Sequence, residues 1–298
     1  MLPRPNTASL KTQDPTFTIN QISRPHLSFD WHQHGLTEIT FFIKGQGLRF
    51  VGDHVGNYHP NQISILGPNL PHTCVSQNQI EDTAHQMISL HFDEGGLSRT
   101  VFNVPEMWPI KALLAKSSGG LLFDCGAGAE FGEVIGDLLQ AKGPRKIILF
   151  LDVLDRITLL GPAEALTSSH YNWAHKSHDQ ERLKSTLKFL SENYTQPIHL
   201  ENLAKIAHMS PSAFSRFFKK QTRQTPSAMI NHLRVSLACK LLSQTSKPIL
   251  EICYASGFHN VSNFNRRFKD HQGVSPREFR KIQAVGMVQD HSQTLLPQ

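Results

Sequence analysis

The last third of the chain repeats itself. Phe214, Arg216, Phe218, Lys219 and Pro226 recur fifty residues later as Phe264, Arg266, Phe268, Lys269 and Pro276. Upstream the offset is 49, pairing Leu200, Leu203 and Ala204 with Ile249, Ile252 and Cys253, so the second copy carries one more residue in a turn that contains Gly257-Phe258. A pattern repeated at fixed spacing is one supersecondary unit built twice. Each copy reads as a short helix, a tight turn and a second helix, the helix-turn-helix arrangement, with a small residue (Ala204, Cys253) where two helices approach.

The second helix of each copy has recognisable boundary chemistry. Ser210 before Pro211 is an N-cap followed by a proline at the first helical position, and Asn260 is the N-cap of the other. Helical spacing then separates two faces. Phe214, Phe217 and Phe218, and likewise Phe264 and Phe268, lie at i, i+3 and i+4 and are expected to be buried. The opposite face carries Ser212, Ser215, Arg216 and Lys219 in one copy and Ser262, Asn263, Arg266 and Lys269 in the other. Arginine can bond guanine bidentately and asparagine can do so with adenine, while serine and lysine hold phosphates. These residues, with Ser210 and Asn260, are the candidate DNA contacts. Residues 226–243 between the copies read as a helix about 27 Å long, a rod that could set two recognition helices about one DNA turn, roughly 34 Å, apart.

Charge agrees with this reading. The 298 residues carry a net charge of +6, but residues 181–281 hold 17 basic and 6 acidic side chains, whereas residues 1–180 hold 13 and 17. A single basic helix face is ordinarily just solvated; two copies inside a compact basic module are the footprint of a polyanion binder, with double-stranded DNA the expected partner. The four cysteines are scattered without a C-x-x-C pair, which excludes a zinc ribbon or disulfide framework and suits a reducing compartment. No apolar run has the length of a signal peptide core or membrane span, so a cytoplasmic protein without a membrane partner is expected.

The first part has different grammar. From Phe29 to Phe92 short strands alternate with turn residues (EITFFIK, LRFV, ISIL), as in an antiparallel barrel or sandwich. Beyond Pro105 three segments read as helices, the last with Ile147, Leu151, Leu154, Ile157 and Leu160 on one apolar face that could cover the strands or join two chains. Residues 161–179, polar and rich in Ser and His, read as a linker. The expected division is thus 1–160 for a sensing domain with a helical dimerisation segment, 161–179 for the linker, and 180–285 for the DNA-binding domain.

The stretches LAKIAHMSPSAFSRFFKKQT, ICYASGFHNVSNFNRRFK and GVSPREFRK resemble the AraC/XylS family of bacterial transcription regulators over about the last hundred residues. The resemblance implies two helix-turn-helix units on promoter DNA, contact with RNA polymerase, and an effector-sensing cupin β-barrel before them. The family commonly has glycine after the recognition helix, as Gly273; Arg223 stands there in the first copy. A left-handed backbone would cost a non-glycine residue on the order of 1 kcal/mol, so a locally altered turn is expected.

Within WHQHGLTEITFFIKGQGLRFVGD, His32, His34, Glu38 and Gly45 fit the cupin pattern H-x-H-x3-E-x6-G, and His72 of GPNLPH takes the usual fourth ligand position, while His26 stands where the pattern has its leading glycine. Three imidazoles and a carboxylate suit Mn, Fe, Ni or Zn. Regulatory cupins often keep such residues as hydrogen-bonded pocket groups, so no cofactor is assigned, and a divalent metal at His32, His34, Glu38 and His72 is the competing use. Thr40 and Phe42 continue the face of Glu38. His32, His34, Glu38, Thr40, Phe42 and His72 are therefore the candidate effector site, suited to a sugar or small carboxylate. The expected protein is an effector-responsive regulator, an activator able to form a homodimer, with no catalytic residues. The alternative is a metal-dependent cupin enzyme with a DNA-binding tail, although the sequence shows neither a nucleophile with its base nor a phosphate-cradling loop.

Overall fold

The computed structural model describes residues 16–76, 84–95, 101–125, 130–169, 171 and 177–283. The chain divides into two compact units between Glu181 and Arg182.

Among the described residues the first unit has nine antiparallel strands: β1 (Phe17–Arg24), β2 (Thr37–Lys44), β3 (Gly47–Val51), β4 (His54–Tyr58), β5 (Gln62–Leu66), β6 (His72–Ser76), β7 (His85–Phe92), β8 (Leu121–Asp124) and β9 (Glu164–Ala165). They form a six-stranded sheet, ordered β1-β7-β2-β5-β8-β9, and a three-stranded sheet, β4-β3-β6. The expected cupin barrel is therefore not closed. Among the described residues no strand ladder joins the sheets, and an isolated bridge between His32 and His72 lies outside the named strands. Between β2 and β3 the chain turns at Gly45, whose φ of 88° suits glycine and where a Cβ would lie 2.5 Å from the His85 ring. There the chain leaves the larger sheet for the smaller one.

Period-two alternation gives β2 two jobs. Ile39 and Phe41 face a core with Ile63, Ile65, Leu90 and Phe92, whereas Glu38, Thr40 and Phe42 face the other way. That core is covered by helices α1 (Trp108–Lys116), α2 (Glu130–Gln140) and α3 (Pro144–Thr158). Phe150 of α3 stacks on Phe17 at 4.3 Å and meets Phe92 edge-on at 5.2 Å. The apolar stripe of α3 thus packs on its own sheet. Its fully enclosed residues are Phe150, Val153, Leu154 and Ile157, while Ile147, Leu151 and Leu160 are only partly buried, so the buried face is centred on Phe150 and not on the expected stripe.

The segment read as a linker begins inside the first unit. Glu164 and Ala165 pair with β8, Leu166 is buried beside Val51 and Leu122, and Ser168 donates to Asp53 Oδ2 at 2.6 Å. Its composition is polar, but Thr167 and Ser168 spend their side chains on Gly119 O and Asp53 of the sheet domain. Residues 170 and 172–176 of that segment lie outside the described residues.

The second unit is helical: α4 (Ser177–Asn193), α5 (Leu200–Ile206), α6 (Pro211–Thr222), α7 (Pro226–Gln244), α8 (Ile249–Ala255) and α9 (Val261–Gln272). Ser210 accepts from the Ala213 amide and Asn260 from the Asn263 amide, so both expected caps form. Phe214, Phe217, Phe218, Phe264 and Phe268 are buried. Helix α7 has 19 residues, about 28 Å, and packs against α6, α8 and α9. The altered turn expected at Arg223 is absent. Arg223 is left-handed at φ 58°, ψ 0°, beside 74° and −18° for Gly273, so the first copy keeps the turn and accepts the strain.

Candidate effector pocket and nucleic-acid interface

A cavity of about 290 Å³ lies in the first unit, lined from β1, β2, β3, β5, β6 and β7, and so by both sheets. Of the six expected pocket residues, His32, Glu38, Thr40, Phe42 and His72 line it. His34 stands beside it, its Nε2 3.0 Å from Glu38 Oε2. The spacing brings these side chains together because residues 32, 34 and 38 come from an extended segment and β2, while the short bridge from His32 to His72 draws in the start of β6.

Glu38 is the hub. His34, His72 and His91 all place Nε2 within 3.0–3.1 Å of its Oε2, and Thr40 Oγ1 donates to Oε1 at 2.5 Å. Burial alone would raise the Glu38 carboxyl, but the charge on His72 and hydrogen bonds from the three imidazoles outweigh it and hold the carboxyl well below the usual range. Reciprocally, burial opposes protonation of His72 and Glu38 overcomes it, so His72 is shifted upward. His32 is shifted downward by burial and by the neighbouring His72.

The same residues fit a metal ion by donor chemistry. Ligand atoms of His32, His34, Glu38 and His72 all lie within 4.8 Å of one another. In each histidine Nδ1 faces a backbone carbonyl two residues away, on Asp30 at 2.7 Å, Leu36 at 3.1 Å and Leu70 at 2.8 Å, which leaves Nε2 as the inward atom. Carbonyls holding the far nitrogen are the orienting shell that imidazole ligands use. His91 differs: Asn20 donates to its Nδ1 at 3.3 Å, so its Nε2–H donates to Glu38.

In the second unit the two recognition helices present their expected faces unevenly. Ser212, Arg216 and Lys219 are exposed, as are Ser262, Arg266 and Lys269. Ser215 and Asn263 are only half-exposed, and Asn263 Oδ1 accepts from Arg266 Nη2 at 3.1 Å. Ser210 and Asn260 spend their side-chain oxygens on capping. Arg216 and Lys219 share one helical face at i, i+3, as do Arg266 and Lys269, so each copy offers a paired cationic edge.

Residues 203–282 match the helix-turn-helix domain family. The melibiose operon regulatory protein of Escherichia coli K12 is 24% identical over 274 residues, covering 87% of this chain and 85% of that protein. The transcriptional activator RhaS of Mannheimia succiniciproducens is 28% identical over 116 residues, 39% of this chain and 43% of the relative. Among solved structures, a Chromobacterium violaceum regulator with an AraC-type DNA-binding domain aligns over 37% of this chain and 97% of its own, at 29% identity and a TM-score of 0.34. The chain is thus similar to AraC-type transcription regulators, with its helix-turn-helix module at residues 203–282.

Three positions went unread in the sequence. His91 reaches Glu38 from β7 but sits in no motif; only its place on the strand pairing with β2, opposite Glu38, brings it in. Arg49 lines the cavity from β3 within a run that reads as apolar strand. Asn265 is exposed beside Arg266, and its position fifty residues after Ser215 was the available signal. Among the described residues no helix is long and apolar enough to cross a membrane.

Proposed function

We propose that this chain is an effector-responsive transcription activator. The cavity between its sheets takes a sugar or small metabolite, and α6 and α9 enter successive major grooves of promoter DNA beside RNA polymerase. The first unit is the family's cupin-type sensor, and a homodimer is its working form. The observation that carries the DNA reading is the pair of exposed Arg and Lys edges at identical places in two repeated helices. An effector acts by binding one arrangement of the domains better than another. No catalytic residue is assigned.

Selection from a random duplex pool, followed by gel shifts at several salt concentrations, tests the DNA face. Arg266→Ala should cost about 1–3 kcal/mol and relax preference at one base pair; Lys269→Ala should weaken all sequences alike and reduce the salt slope by about one. Unchanged binding in both variants removes the face. On the sensor side, His34→Ala should remove the effector dependence of DNA binding.

The inward Nε2 atoms favour a second use of the pocket. A divalent cation held by His32, His34, Glu38 and His72 would supply Lewis acidity, as in a metal-dependent cupin enzyme with a DNA-binding tail. Stoichiometric iron or manganese in the purified chain would support that reading, and a metal-free protein that still answers its effector would support the sensor.

A further inference from the structure

Arg49 stands in the middle of β3, paired with Gly56 on β4 and Cys74 on β6, and only 2% of it is exposed. A guanidinium stays ionised even when burial lowers its pKa, so a buried one needs an acceptor. Its single hydrogen bond is long: Nη1 to Gln62 Oε1 at 3.4 Å, an oxygen that also accepts from the His59 amide at 3.1 Å. Nε is enclosed without a partner, and among the described residues no carboxylate makes an ion pair with it; Glu164 on β9 acts on the charge only from beyond ion-pair range. The Phe42 ring, 6.0 Å from Cζ, offers only a weak cation–π contact. Arg49 nevertheless lines the cavity, on the same face of β3 as Val51.

The cavity cannot neutralise Arg49 with its own groups. Glu38, its buried carboxylate, is taken up by three imidazoles and Thr40. Asp30, the other acidic lining residue, is exposed to solvent. What the pocket lacks is an anion, and a guanidinium fork matches a carboxylate or phosphate bidentately.

We infer that the effector is a small organic anion whose carboxylate or phosphate is bound by Arg49. Resting on the effector-pocket reading above, this assignment narrows that reading to one chemical class. The hydroxyls of Thr40, Ser64 and Ser89 line the same cavity and suit an oxygenated body, and 290 Å³ is at the small end of the roughly 300–1,000 Å³ range of ligand sites.

Thermal-shift and calorimetric titration of the full chain tests it. The probes are lactate, succinate, glutarate and benzoate with their amides, glycerol 3-phosphate and inorganic phosphate, and the neutral sugars glucose and galactose. At least one anion should raise the unfolding midpoint while its amide does not; the carboxylate and phosphate arms identify the headgroup. Arg49→Met should weaken that anion by at least about thirtyfold and leave the ligand-free protein no less stable, since a buried unpaired charge has been removed. Arg49→Lys keeps the charge without the fork and should bind the same anion less tightly than wild type. No shift by any anion, equal anion affinity in a folded Arg49 variant, or tight binding of a neutral sugar unchanged by Arg49→Met overturns the inference. Gel shifts of the wild-type chain on selected duplexes separate the two failures: loss there sinks the regulator reading, whereas DNA binding without anion binding sinks only the assignment of Arg49.

Discussion

The two helix-turn-helix copies solve one folding problem with different residues. Each turn needs one left-handed residue, and each recognition helix ends in another. The second copy uses Gly257 (φ 91°) and Gly273 (φ 74°); the first uses His208 (φ 52°) and Arg223 (φ 58°). In both turns the next amide bonds back across the bend, Met209 to Ala204 O at 2.9 Å and Phe258 to Cys253 O at 3.1 Å. The geometry therefore belongs to the motif and not to glycine. Glycine becomes obligatory only where space is also short. A Cβ at Gly257 would lie 2.7 Å from both Cα and O of Thr195, which are backbone atoms that cannot swing aside. Gly257→Ala should cost about 3 kcal/mol, strain and overlap together, in denaturant unfolding of the C-terminal unit. A cost below that of Gly273→Ala would show that the crowding is relieved by a small shift of the chain.

Acid should also separate the copies. The His232 ring on α7 lies 5.4 Å from that of His271 at the end of α9, tilted by 50°, and burial, followed by the charge of His271, lowers the His232 pKa to about 4. The equivalent of His271 in the first copy is Gln221, which does not titrate. Between pH 6.5 and pH 4 the unfolded chain binds this proton and the folded chain does not. The contribution is therefore intact above pH 6.5 and is lost on acidification, on the order of 3 kcal/mol in all. Amide exchange at falling pH should open α9 before α6, and His232→Gln should abolish the difference. Equal opening would place the acid-sensitive group elsewhere.

The two proposed DNA faces differ in rigidity. Arg266 is held by Asn263, but fifty residues earlier the matching position is Ala213, which has nothing to hold Arg216. A guanidinium positioned beforehand loses less freedom on binding. Arg266→Ala should thus cost about 2–3 kcal/mol in DNA binding and Arg216→Ala about 1, with Asn263→Ala narrowing the gap. Titrations on one selected duplex would measure all three, and equal losses would mean that Asn263 does not position its neighbour.

What was readable in advance follows from locality. Caps at Ser210 and Asn260, the buried phenylalanines and the opposed basic edge all come from spacing within one helix. The convergence of His32, His34, Glu38 and His72 was legible because three of them lie within seven residues and the fourth closes a known pattern. Arg49 and His91 were not, since only strand register brings them to the cavity, and register follows from pairings across the sheet. The open two-sheet arrangement escaped for the same reason. Composition misled at residues 164–168, where polar side chains that suggested a linker instead satisfy groups of the sheet domain.

The smallest test concerns the strain that the first copy tolerates. Gly273 has open space: among the described residues no heavy atom would come within 4 Å of an added Cβ. Gly273→Ala therefore isolates the backbone term, and the expected loss is about 1 kcal/mol. Arg223 already occupies this conformation, so α9 and its cap should survive the change as α6 survives with arginine. A loss well above that value, or a shortened α9 in exchange measurements, would mean that the second turn depends on glycine in a way the first does not. A loss near zero would mean that the left-handed conformation is imposed by the packing of the flanking helices, with the residue type at the cap of little consequence.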